Sequence, residues 1–271
     1  MYEKYWKLRE KPFINTPDPR FLYHSTQHED ALIKLTYAVA EGMGGAMLTG
    51  VFGCGKTLIG KAILAELGKD KYKFAFINNP KISYVELLRS IVRSLKSQAL
   101  PDKMTDIMAD SLLELLNGVL LDNMRDGKET VIIVDEAHLL ADEAVFEQLR
   151  LLMNFQTENK FLLTLLLFGQ PELKDKVANL KQLDQRIAIR CHLDRFNKKE
   201  STEYIAYRLG ISGREDEIFT ADAVDFIHER SGGIPRRINT LCDLSLLTGF
   251  GKKAEKIDMG IVKAASEQFT T

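Results

Sequence analysis

Cysteine is scarce in this chain of 271 residues: Cys54, Cys191 and Cys242 are odd in number and far apart. That spacing shows neither a disulfide framework nor a zinc pattern, so reduced thiols and a cytoplasmic location are the expectation. Long apolar runs are also lacking. The longest, Phe161 to Phe168, falls far short of the roughly 20 residues that cross a bilayer, and Met1 to Trp6 has no signal-peptide core. No direct membrane insertion by this chain is expected. An excess of either charge is missing too. Net charge is −1, with 26 Lys+Arg against 26 Asp+Glu up to Arg195 and 11 against 12 after it. A dedicated nucleic-acid binder carries a strong basic bias, so DNA is possible as a partner but not favoured. What remains is 45% hydrophobic and 28% charged, the composition of a globular chain of one or two domains.

Within this ordinary composition stands Gly50-Val51-Phe52-Gly53-Cys54-Gly55-Lys56-Thr57. Ala46 to Thr49 before it is apolar and strand-like; Leu58 to Leu67 after it has helical periodicity. Strand, glycine-rich turn and helix start are the setting in which G-x-x-x-x-G-K-[ST] cradles nucleotide phosphates with backbone N–H groups. Gly50 through Leu58 are therefore candidate nucleotide contacts. Lys56 would reach the β- and γ-phosphates and the Thr57 hydroxyl would hold Mg²⁺. Cys54 is read as an inert small residue rather than a redox switch.

Val131-Ile132-Ile133-Val134-Asp135-Glu136-Ala137-His138 is the second motif. Four β-branched residues in a row predict a strand buried on both faces of a parallel sheet. Carboxylates at its C-terminal end sit where open α/β sheets bind ligands. Taken alone, Asp135-Glu136 would be a solvated turn. Paired with the loop upstream, Asp135 fits a Mg²⁺-holding acid and Glu136 a general base that activates water. His138 is expected as a surface histidine at a helix start rather than a proton relay.

The order of elements predicts an α/β fold. Further strands are read at Lys73 to Asn78 and Phe161 to Gly169, with helices at His28 to Ala40, Tyr84 to Leu100, Asp110 to Asn123 and Asp142 to Phe155. After Arg195 strand signals stop, and helices are read at Ser201 to Leu209, Ala221 to Arg230, Arg237 to Thr248 and Ile261 to Phe269. The domains expected are 1–195, a P-loop α/β core with an N-terminal arm, and 196–271, a small all-helical lid. The arm is rich in Pro and aromatics (Pro12-Phe13, then Pro17 to Tyr23), which can wall an adenine pocket or simply pack; the residues leave both open.

Phosphate loop (Walker A), Asp-Glu strand end (Walker B) and helical lid together resemble the AAA+ ATPases. That resemblance implies a doubly wound parallel five-stranded sheet followed by the lid. It places Gln170, after Leu163 to Gly169, at the sensor 1 position, with a simple helix cap as the alternative. It makes Arg190 in Arg190-Cys191 the candidate arginine finger, with Arg186 as runner-up, and it makes Arg236 in Gly233-Ile234-Pro235-Arg236 the sensor 2 arginine. Tyr5 to Phe13, Thr16 to Tyr23, Gly169 to Leu173 and Arg237-Ile238-Asn239 resemble the general secretion pathway protein A type within that group. Members of this type continue into a transmembrane segment and a peptidoglycan-binding domain, and this chain ends after its lid. A fragment of a membrane-anchored protein and a short stand-alone relative are both consistent with that.

The function implied is a Mg²⁺-dependent ATP-hydrolysing protein that assembles or remodels an envelope secretion or pilus machine. Partners implied are other copies of the chain, in a ring with an arginine finger acting in trans, and proteins of that machine. The alternatives are a DNA-associated helper of the transposition target-selection type and a nucleotide-gated scaffold.

Overall fold

The computed structural model describes residues 1–78, 80–96, 108–140 and 142–267. In chain order the elements are α1 (Thr26–Ala40), β1 (Gly45–Gly50), α2 (Lys56–Leu67), β2 (Tyr72–Ile77), α3 (Tyr84–Leu95) and α4 (Ala109–Arg125). They continue with β3 (Glu129–Val134), α5 (Glu143–Leu152), β4 (Leu163–Gly169), α6 (Glu172–Asn179), α7 (Lys181–Asp184) and β5 (Ile187–Leu193). Last come α8 (Lys198–Ile211), α9 (Ala221–Ser231), α10 (Pro235–Gly251) and α11 (Met259–Ser266). The predicted ends of two helices, at residues 97–100 and 268–269, lie outside the described residues.

Two compact units result: residues 29–50 with 59–193, and residues 1–28 with 51–58 and 194–271. The first holds a five-stranded sheet in the order β2-β3-β4-β1-β5, every pairing parallel. Val131, Ile132, Ile133 and Val134 are all fully buried, as a strand covered on both faces requires. On one face Met47, Ile132 and Leu165 pack with α3 through α7 in one apolar core. On the other, α2 lies so close that a Cβ on Gly60 would stand 2.9 Å from the Phe76 ring and 3.0 Å from that of Phe168. Helices on both faces make the sheet doubly wound. Local signals start several of these helices: Ser83 caps α3 in a reciprocal box with Glu86, and Asp142 caps α5.

β5 is the strand that periodicity did not reveal. Among the described residues it pairs only with β1, and its inward residues Ile187, Cys191 and Leu193 alternate with Ala188, Arg190 and His192. An edge strand buries one face, so the uninterrupted β-branched run of a central strand is absent.

The second unit is built on α8 through α11. Trp6, Phe13, Tyr204 and Leu246 share its apolar core, and Trp6 Nε1 donates to Leu246 O at 2.9 Å. Tyr2, Trp6 and Phe13 of the arm therefore fill a helical core, which favours packing over an adenine wall for these rings. Arg208 of α8 secures the arm: it donates to Pro12 O at 2.5 Å and Ile14 O at 2.8 Å, with its guanidinium 4.3 Å from the Phe21 ring. Among the described residues no helix is long and apolar enough to cross a membrane.

Candidate functional site

The glycine-rich loop is held in a conformation that its sequence alone permits. Gly53 and Gly55 have φ of +89° and +100°, open to glycine and strained for other residues. Lys56 opens α2, so the first turn of that helix begins directly at the loop. Lys56 is buried and its Nζ donates to Val51 O at 3.2 Å. The Cys54 thiol is fully buried and burial pushes its pKa up to about 11, which fits an inert residue rather than a redox switch.

Two groups of the same unit hold the loop from outside. Arg236 sits in the first turn of α10, behind Pro235, which suits a helix start. Its N–H donates to Gly53 O at 3.3 Å, and its guanidinium lies 4.9 Å from the Phe52 ring. A Cβ on Gly53 would stand 2.9 Å from Arg236 Cβ, so the close approach needs that glycine. His28, in the first turn of α1, places Nε2 2.9 Å from Cys54 O.

The acidic residues belong to the sheet unit. β1, β3 and β4 are parallel neighbours, so Gly50, Asp135 and Gln170 lie at one edge of the sheet, its C-terminal edge. Asp135 is buried, its N–H donates to Ile77 O at 2.9 Å, and its Oδ1 accepts the Glu136 N–H at 2.9 Å. Glu136 has the left-handed conformation (φ 53°, ψ 34°), an uncommon state for a non-glycine residue. Such strain gathers at functional sites.

His138 corrects an expectation. Its side chain is only 10% exposed, not on the surface, and it stands between Glu136 and Gln170. Its Nδ1 lies 3.5 Å from Glu136 Oε2 and accepts the Gln170 N–H at 3.3 Å, while its Nε2 lies 3.0 Å from the Gln170 side-chain amide. Lys176 of α6 fastens the same turn by donating to His138 O at 2.6 Å and Leu140 O at 3.3 Å. Glu136, His138 and Gln170 thus form one cluster, and no sequence motif marks Lys176 as the residue that fastens it.

The two candidate fingers are engaged within the sheet unit. Arg186 donates to Met153 O at 3.0 Å, and Arg190 on β5 donates to Asp184 through both its carbonyl and its carboxylate, each at 2.7 Å. Arg190 is the more exposed, with 42% of its side chain open. Among the described residues there is no group of three or more His, Cys, Asp or Glu suited to hold a metal. A buried carboxylate and one hydroxyl are nonetheless the hard oxygen donors Mg²⁺ accepts when phosphates and water complete its shell. Asp135 and Thr57 are, each by itself, oxygen donors of that kind.

The chain matches the AAA domain family over residues 40–177 and belongs to that family. It is similar to general secretion pathway protein A of Aeromonas hydrophila, at 39% identity over 270 residues, covering 98% of this chain and 48% of that protein. The chain thus spans about half the length of this relative. In structure it resembles the Aeropyrum pernix ORC1 protein solved in complex with DNA (TM-score 0.74, 15% identity, 97% of this chain and 70% of that one). It also resembles the Aeropyrum pernix ORC2 protein solved as ADPNP–ADP complexes (TM-score 0.69, 16% identity, 92% and 71%). The fold is that of the AAA+ ATPases.

Proposed function

We propose that the chain binds ATP with Mg²⁺ and hydrolyses it to ADP and phosphate. The observation that carries this reading is the loop itself: two glycines at positive φ between the end of β1 and the start of α2, with Lys56 and Thr57 opening that helix. In the proposed roles Gly50 through Leu58 surround the nucleotide, Lys56 meets the β- and γ-phosphates, and Thr57 and Asp135 hold Mg²⁺, which supplies charge neutralisation. Glu136 takes the proton of the attacking water, and Gln170, oriented by His138, steadies that water or the γ-phosphate. Arg236 reports the nucleotide to the helices of residues 196–271, the lid of this reading.

Arg190, or Arg186 in its place, acts as the finger of a neighbouring copy in a ring. Its present partner Asp184 would be exchanged for phosphate on assembly. The similarity to general secretion pathway protein A supports an output in assembly or remodelling of an envelope secretion or pilus machine, on its cytoplasmic side.

The test is the ATPase rate per mole of protein over a hundredfold concentration range, with and without duplex DNA. A rate that climbs with concentration and ignores DNA supports the ring with a trans finger. A rate flat in concentration and raised by DNA favours the transposition-type helper. Tight ATP binding without turnover favours the scaffold. Lys56→Ala should abolish binding; Glu136→Gln should keep it and lose turnover, and unchanged turnover there removes Glu136 as the base.

A further inference from the structure

The Cys54 carbonyl is held by a buried ring. His28 is 3% exposed, with Nε2 2.9 Å from Cys54 O and Nδ1 2.7 Å from the Ser25 hydroxyl. A carbonyl only accepts, so Nε2 carries the proton and Nδ1 takes the Ser25 O–H. Both ring nitrogens are satisfied in the neutral form, which burial favours by lowering the pKa.

In a trans peptide the C=O and the following N–H point in opposite directions. Holding Cys54 O against His28 therefore points the Gly55 N–H away from His28, at the opposite edge of that peptide unit. Gly55 is at φ +100°, and a Cβ there would meet His28 Nε2 at 3.2 Å, so the contact and the glycine require each other. The preceding carbonyl, Gly53 O, is held by the Arg236 N–H. The His28 ring itself stands 5.4 Å, centroid to centroid, from Phe196, whose N–H donates to Gly233 O at 2.9 Å in the turn that leads to Arg236.

We propose that His28 is a positioning residue of the nucleotide site: its Nε2–H fixes the Cys54–Gly55 peptide so that the Gly55 N–H is presented to the bound phosphates. This rests on the loop being the nucleotide site. His28 touches no phosphate; it removes the freedom of one peptide to flip, so that ligand binding need not order it.

The experiment uses the full chain, with titration of a fluorescent ADP analogue and steady-state ATPase kinetics on wild type, H28Q, H28N, H28L and, as reference, K56A. A Gln amide nitrogen can reach the place of Nε2, whereas Asn reaches only that of Nδ1 and Leu donates nothing. The expected result is ADP affinity weakened about tenfold in H28N and H28L, equivalent to about 1.4 kcal/mol. KM should rise with it while kcat stays within about twofold, and H28Q should recover to within about threefold of wild type. Should H28L fail to fold, the polar pair H28Q and H28N carries the comparison. Wild-type affinity in H28N overturns the proposal, and so does equal loss in H28Q and H28N, which would mark the ring as packing only. If K56A binds ADP as wild type does, the loop reading itself falls.

Discussion

Replacing Glu136 separates the strain at the turn after β3 from the chemistry proposed for its carboxylate. The residue sits at φ 53°, ψ 34°, where a side chain costs about 1–2 kcal/mol relative to the right-handed region. Two hydrogen bonds hold it there, from its own N–H to Asp135 Oδ1 and from the Leu139 N–H to its carbonyl, each 2.9 Å. Glu136→Ala removes the carboxylate and keeps the strain. Glu136→Gly removes both, and gives back about 0.5–1 kcal/mol through the extra freedom of glycine in the unfolded chain. The difference leaves the Gly variant more stable than the Ala variant by about 0.7 kcal/mol, within a span of roughly 0–1.5. At a position of ordinary negative φ the order is reversed, with Gly the weaker by about 0.5–1 kcal/mol. Paired urea unfolding followed by circular dichroism reads the two midpoints, and an ATPase assay on the same samples should find both variants inactive. A Gly variant weaker than the Ala variant by 0.5 kcal/mol or more would refute the strain argument. Turnover retained in either would refute the role of the carboxylate.

Gly233→Ala should be among the most damaging single changes, since φ is +71° and the new Cβ would stand 2.0 Å from Phe196 O; a loss of more than about 3 kcal/mol is expected in thermal unfolding. Arg208→Lys keeps the charge but cannot span Pro12 O and Ile14 O with a planar fork, so limited proteolysis should cut the arm at least several-fold faster than in wild type. Burial lowers the His28 pKa, so the unfolded chain binds that proton more readily; the resulting stability is complete above the unfolded value of about 6.5 and is lost as pH falls below it. Unfolding midpoints between pH 7.5 and 5.5 should therefore drop further in wild type than in H28Q, and equal slopes would refute this. Burial raises all three thiols, Cys54 and Cys191 to about 11 and Cys242 well above its usual value. A neutral-pH thiol titration should find fewer than one reactive group per native chain and three after denaturation.

The central strands were legible because a parallel sheet covered on both faces leaves an uninterrupted apolar run, as in Val131 to Val134. β5 obeys the same physics with one face open, and Ala188, Arg190 and His192 broke the signal. The segment that carries the candidate finger Arg190 is this strand. α6 and α7 are too short for a helical period to register. α2 begins two residues earlier than periodicity placed it, because Lys56 and Thr57 form the helix start while contributing nothing to its apolar face.

The loop was legible for a different reason: positive φ restricts residue type, so Gly53 and Gly55 are written into the composition of the turn. The bonds that hold the loop and the turn after β3 were not, even where Arg236 itself was picked out by its motif, and their partners say why. His28 bonds Cys54 O, Lys176 bonds His138 O and Leu140 O, and the Arg236 N–H bonds Gly53 O. Each acceptor is a backbone carbonyl, which every residue possesses, so nothing in the one-letter string at the acceptor constrains the donor. Motifs made of side-chain types can be read from sequence. Buttresses that end on the main chain appear only when the chain has folded back to present that carbonyl, and in this protein they hold both the glycine-rich loop and the turn after β3.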